Sequence, residues 1–288
     1  MPEAPPPIRP MRVDDALAVH ELCSRVLFAP QPGVEEELGR ARSLGRIEHL
    51  VATDPGGVWV AEAEGRIVGV AMALMRERIW GFSLYAVDEA LQGRGVGRRL
   101  LDASLAYGED HGAQGWIILS SEHPGAMRRY ARAGFALDPC VAAMGIPDLT
   151  RAPDAVARVE DAGAAGIPLA DAIGRAVRGA GHGPDIPTAL AGGARLLVLE
   201  DRAFALMREG NVMLLAATDD EAAGTLLWAG LTRAPRGATA LIDFMTGAQQ
   251  WAITVCLDAG LPLSPDGPAF TKGRLGPLAP YLPSGAYL

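Results

Sequence analysis

The sequence has 288 residues, of which 49% are apolar and 21% charged, and its formal net charge is −8. That length allows two ordinary domains, and the composition is that of a folded globular chain. The acidic balance excludes a general nucleic-acid binder, which needs a basic face for phosphates, and no uninterrupted apolar run reaches membrane length.

The opening stretch MPEAPPPIRP is proline-rich without an apolar signal core, so a cytoplasmic protein is expected, and Ile8 begins a short strand. Asp14 and Asp15 can cap a helix from Ala16 to Leu27, with Leu17, Leu22 and Val26 near one face. Pro30, Pro32 and Gly33 break the chain before a second helix, Val34 to Val51. Three strand-like runs follow: Val58–Ala63, Ile67–Met75 and Trp80–Val87. A glycine-rich stretch leads into a helix from Gly97 to Asp110, ended by Gly112. Trp116–Ser121 reads as a strand, Gly125–Arg132 as a helix stopped by Gly134, and Phe135 starts another strand. The order of elements is that of an α+β layer.

Gly145 to Asp154 reads as a linker. Beyond it come a helix, Ile167–Arg178, and an irregular stretch, Gly179–Pro187. Strands are expected at Leu196–Leu199, Ala203–Arg208, Val212–Ala217 and Ala240–Met245. Helices are expected at Asp220–Ala229 and Gln249–Asp258, and a proline-rich segment, Leu261–Leu288, closes the chain. The two halves carry the same order of elements, which points to an internal duplication with domains at 1–147 and 148–288. LYAVDEALQGRGVGRRLL from Leu84 matches LLAATDDEAAGTLL from Leu214, and YARAGF from Tyr130 matches CLDAGL from Cys256. The second copy lacks the glycine-rich segment and carries Asp219, Asp220 and Glu221 in its place.

Gln92-Gly93-Arg94-Gly95-Val96-Gly97-Arg98 lies between a strand and a helix. Glycines there let the backbone approach a ligand closely, and the unpaired N–H groups of a first helical turn, with Arg94, Arg98 and Arg99, suit a pyrophosphate. A plain strand–helix turn is the blander alternative. Neither the Gly-Lys-Ser/Thr of a P-loop nor a dinucleotide fingerprint is present. Cys23, Cys140 and Cys256 lie in apolar stretches far apart, so buried free thiols are expected, and no metal-ligand spacing or nucleophile motif is seen.

The pattern Q-x-x-G-x-G before R-R-L-L resembles the acyl-CoA-binding motif of the GNAT N-acetyltransferase superfamily, and AMRRYARAGF, residues 126–135, resembles that family's Y-x-x-x-G-F signature. The resemblance implies two tandem GNAT-like domains, the second degenerate, each a mixed, mostly antiparallel sheet with helices on both sides. It implies acetyl-CoA as co-substrate on residues 92–98, with Tyr85, Ala86, Val87 and His123 also in contact. It implies direct acetyl transfer to a small-molecule or peptide amine, with Tyr130 protonating the departing thiolate. Packing in an amphipathic helix is the other reading of Tyr130.

Two departures leave the general base open. Many members carry a glutamate early in the strand that here reads Trp80-Gly81-Phe82-Ser83, and the family's frequent asparagine is here His123, beside Glu122. Glu122, His123, water or the terminal carboxylate of Leu288 could serve, the last by likeness to two-domain enzymes of this family; a closing strand is the alternative for that tail. The missing glutamate also leaves room for an acyl-CoA sensor or interaction protein with little turnover. Assembly stays open, a homodimer included.

Overall fold

A computed structural model describes residues 5–27 and 35–288; the chain break expected at Pro30, Pro32 and Gly33 lies outside them. By contact the chain forms two compact units, Met1–Met75 with Trp80–Ala113, and Arg76–Ile79 with Gln114–Leu288.

In the first unit, β1 (Ile8–Pro10) pairs antiparallel with β2 (Val58–Ala63), β2 with β3 (Arg66–Arg76), and β4 (Ile79–Val87) lies beside β3. Helices α1 (Ala16–Val26) and α2 (Glu35–Thr53) bury Val19, Leu22, Cys23, Ile47 and Leu50 against Val58, Val60, Val70, Met72 and Leu84. Leu17, expected on the buried face of α1, is 42% exposed. A 3.6-residue period puts positions 19, 22, 23 and 26 on one stripe and turns 17 away from it. Helix α3 (Val96–Asp110) presents Val96 and Leu100 to Gly69 of β3.

The second unit adds β5 (Gly115–Leu119), α4 (Pro124–Arg132), β6 (Ala136–Gly145), β7 (Glu160–Asp161), α5 (Ile167–Val177), α6 (Asp185–Ala191) and β8 (Arg195–Leu199). It continues with β9 (Ala203–Arg208), β10 (Asn211–Ala217), α7 (Asp220–Thr232), β11 (Ala240–Met245), α8 (Gln250–Asp258), β12 (Leu263–Gly273) and β13 (Tyr281–Leu282). Its strand order is β5-β12-β6-β11-β10-β9-β8-β7, with β13 on β10. All pairs are antiparallel except β10 with β11. Strands β8 to β10 read as continuous apolar runs because both faces are covered. Leu197, Leu199, Ala205 and Leu215 point into the core under α7 and α8, whereas Leu196, Val198, Leu206 and Leu214 point to α5 and α6. The fold is α+β, a mixed and mostly antiparallel sheet with helices on both faces, as the resemblance implies.

Two stretches differ from expectation. The segment expected to be irregular at Gly179–Pro187 ends in α6, whose Asp185 carboxylate takes a bidentate pair from the buried Arg76 (Nε to Oδ2 2.7 Å). Within the proline-rich close, β12 forms eleven residues of strand between β5 and β6. Its Pro268 is tolerated because the ladder to β6 shifts register between Asp266 and Ala269, as prolines in sheets require. The boundary expected at 147 and 148 divides the chain by repeat. Contact divides it elsewhere, since β5 and β6 of the first repeat are stitched to β12 and β11 of the second.

Candidate active site

Val87 ends β4, and the Asp88 carboxylate accepts from the Ala90 N–H at 3.1 Å, starting a single turn at Glu89–Leu91. Gln92 then folds back, its Nε2 donating to the Val87 carbonyl at 3.1 Å. Gly93 and Gly95 take φ of +78° and +89°, a region that side chains disfavour. Nothing lies within 4 Å of where a Cβ would stand on either. The glycines are therefore set by backbone conformation, and the space outside the loop is open to a ligand. Gly95 caps α3, whose leading N–H groups lack intrahelical acceptors. Arg94 and Arg98 are exposed beside this helix start, and a helix N-terminus favours negative charge.

Val96 is fully buried, and a Cβ on Gly97 would run into the Tyr85 hydroxyl and the Val87 side chain. Tyr85, Val87, Gln92 and Gly97 thus interlock, and Ala86 is buried beside them. Arg98 pairs with Asp102 at 3.4 Å along the helix, exposed and weak. Arg99 is committed elsewhere, donating to the Pro6 carbonyl at 2.8 Å. Earlier in β4, Trp80, Phe82 and Ser83 are buried, the two rings stacked 5.3 Å apart. Aromatic packing fills the stretch where the family resemblance would put a glutamate.

In the second unit, Glu122 is exposed and His123 is the cap of α4, its Nδ1 accepting from the Ala126 N–H at 3.3 Å. That bond needs the Nδ1 lone pair, so capping and protonation at Nδ1 exclude one another. Tyr130, in the last turn of α4, is 3% exposed, and its ring meets Phe270 edge-on at 5.3 Å. Phe270 belongs to β12, so a strand distant in sequence supplies the wall of Tyr130. Two strand residues later, Lys272 donates to the Ala133 carbonyl at the end of α4 and lies over the Trp116 ring. Leu288 is fully buried with Ile79, Ile117 and Ala180, and its main-chain oxygen accepts from the buried Arg178 at 2.5 Å.

Sequence reasoning missed one acidic pair. Asp243 of β11 and Asp266 of β12 both flank β6, each beside a shift of register. The Asp266 carboxylate accepts from Phe244 N–H at 2.9 Å and Gly267 N–H at 2.7 Å. Burial, and then the charge of Asp266, push Asp243 up to about 7. The two residues are 23 positions apart, and no local pattern couples them. The three cysteines are buried free thiols, pushed by burial to about 11, 11 and 12 for Cys23, Cys140 and Cys256.

The second repeat's helix start is occupied by its own side chain. Asp219 caps α7, accepting from the Ala222 N–H at 2.9 Å, and pairs with Arg202, which also holds Glu221. Arg202 draws the Asp219 carboxyl below its usual range. The donors that face outward at α3 are thus met at α7 by a carboxylate of the chain itself. Among the described residues no helix is long and apolar enough to cross a membrane.

No curated protein matches this sequence. Among solved structures, a putative acetyltransferase from Pyrococcus horikoshii superposes with a TM-score of 0.82 at 16% identity, over 100% of this chain and 98% of its own. A GCN5-related N-acetyltransferase from Sphaerobacter thermophilus gives 0.55 at 15% identity, over 94% of this chain and 96% of its own. A third, from Kribbella flavida, gives 0.57 at 16%, over 93% of this chain and 70% of its own. At such identities the likeness is one of fold. The sequence model of the acetyltransferase (GNAT) family matches residues 20–135, a segment that takes in both the glycine loop and the Tyr130 helix. Residues 20–135 of this chain are thus similar to the acetyltransferase (GNAT) family.

Proposed function

We propose that the chain is an acetyl-CoA-dependent N-acetyltransferase acting on a small-molecule or peptide amine, built from tandem repeats at 1–147 and 148–288. The observation that carries this reading is the loop at Gly93 and Gly95. Two left-handed glycines with open space beyond them lead into the free N-terminus of a fifteen-residue helix. Such an arrangement suits a pyrophosphate, so the residues present fit the co-substrate.

In this reading Gln92–Arg98 hold the phosphates and the main chain of Tyr85–Val87 holds the pantetheine arm. A neutral amine attacks the thioester carbonyl, and a β4 N–H steadies the developing oxyanion. As the new C–N bond forms and the C–S bond breaks, Tyr130 gives its proton to the leaving sulfur. The amine's proton leaves through water or Glu122. His123 serves as a cap, and Leu288 as an anchor, because the first spends its ring nitrogen on Ala126 and the second its oxygen on Arg178.

The aromatic filling of early β4 supports a second reading, acyl-CoA binding with little turnover. Calorimetric titration with acetyl-CoA, followed by a thiol-release assay over a panel of amines, separates the two. Tight binding with amine-dependent thiol release is expected; binding without release from any amine moves the protein to the sensor reading, and absence of binding removes both.

A further inference from the structure

Strands β10 and β11 are paired at one position only, Asn211 with Leu241. Beyond it β10 turns to another neighbour: Leu215 and Ala216 pair antiparallel with Leu282 and Tyr281, and the Ala217 N–H donates to the Pro280 carbonyl at 3.2 Å. By the alignment of Leu84 with Leu214, residues 215–217 correspond to Tyr85–Val87. The main chain assigned to a pantetheine arm in the first repeat is thus occupied in the second by the chain's own tail. The phosphate end of the same groove is closed by Asp219.

The tail is held as a peptide ligand is held. Main-chain pairing supplies the grip along β10, as in strand addition. Side chains drop to both faces, Leu282 into the core under α7 and α8, Tyr281 and Tyr287 into the core under α5. The segment then closes on itself, with Ser284 Oγ accepting from the Ala286 and Tyr287 N–H groups at 3.2 and 3.1 Å. Arg178, fully buried, clamps it: its guanidinium donates to the Tyr287 carbonyl (3.3 Å) and to the main-chain oxygen of the terminal Leu288 (2.5 Å), and also to the Gly181 carbonyl (2.6 Å) of its own loop. Those bonds tie the turned end of the tail, where the Leu288 N–H donates to the Ser284 carbonyl at 2.6 Å, to the arginine's own loop.

We propose that the groove along β10 is a peptide-binding site whose resident ligand is the chain's own segment 280–288. The comparison with the first repeat rests on the tandem reading above, but the groove and its occupant do not depend on catalysis. No measurement below uses acetyl-CoA, so the two readings fail separately.

The test uses the full-length chain carrying Tyr281→Ala and Leu282→Ala, which loosens the tail and leaves the groove intact. A fluorescent peptide of residues 279–288 should bind this variant in an anisotropy titration and not bind the unsubstituted chain, whose groove is filled. A scrambled peptide should not bind, and adding Arg178→Met should weaken uptake at least tenfold. A folded variant that ignores the peptide, or takes the scrambled one equally, overturns the proposal. Hydrogen exchange on the unsubstituted chain decides independently, should the variant fail to fold. The amides of 281–288 and those of Leu215 and Ala217, which face the tail, should open together, before β8 and β9. Exchange of the tail only with global unfolding would make it an integral strand and overturn the proposal.

Discussion

Cys140 of β6 and Asp266 of β12 face each other as ladder partners. The offset is 126 residues, the distance from Tyr130 to Cys256 in the matched segments. At that offset α4 (Pro124–Arg132) coincides with α8 (Gln250–Asp258), and Gly134 with Gly260, both with positive φ. Strands β6 and β12 thus meet antiparallel at positions separated by this same offset, and the ladder shifts register just beyond them. One result is that Phe270, a residue of the second repeat, packs against Tyr130 of the first.

Tyr130→Phe keeps that edge-on ring contact, worth about 0.5–1.5 kcal/mol, and removes only the hydroxyl. Acetyl-CoA affinity should hold while kcat falls roughly 10²-fold, read by chemistry-limited thiol release. Unchanged turnover would reduce the residue to packing.

Gly95→Glu should abolish acetyl-CoA binding in a chain that still folds, because charge and a strained φ enter the loop; calorimetry with circular dichroism checks this. Arg98→Ala should weaken binding by about 1.5–3 kcal/mol, one charge-assisted contact. Arg99→Ala should leave affinity unchanged, since its guanidinium is bonded to Pro6. Equal losses at both arginines would contradict the geometry of the loop.

One equivalent of acetyl-CoA per chain is expected by titration. At α7 the helix start is filled by Asp219, and at β10 the groove is filled by Tyr281 and Leu282. A second equivalent would show that the C-terminal repeat remains open.

Asp243 sets a pH dependence. Its native value near 7 lies above the ordinary 3.8, so between those values the folded chain keeps a proton that the unfolded chain releases. Stability falls as pH rises through this window and levels off above 7. Asp243→Asn should match the unsubstituted chain near pH 4 and exceed its melting temperature at pH 8. The buried His182, held well below 6.5 by desolvation and then by Arg178 and Arg76, acts with the opposite sign and costs stability below pH 6.5. Equal melting temperatures for the asparagine variant and the parent at pH 8 would remove the role assigned to Asp243.

Wherever a conformation is written into one residue, the sequence alone determined the outcome. Gly93 and Gly95 announced a loop of special backbone conformation, and Gly134 announced the end of α4, because φ preference needs no distant partner. Tertiary structure decided what local preference cannot. Pro265, Gly267 and Pro268 read locally as loop, and they became strand only because β5 and β6 offer ladders on either side. Gly181, Gly183 and Pro187 read as irregular, yet α6 forms where Asp185 meets the buried Arg76. The Asp243–Asp266 pair, the burial of Arg178 and the seat of the tail on β10 arise in the same way. Each depends on groups brought together by non-local pairing, whose free energy belongs to the assembled sheet and leaves no mark on any short stretch of chain.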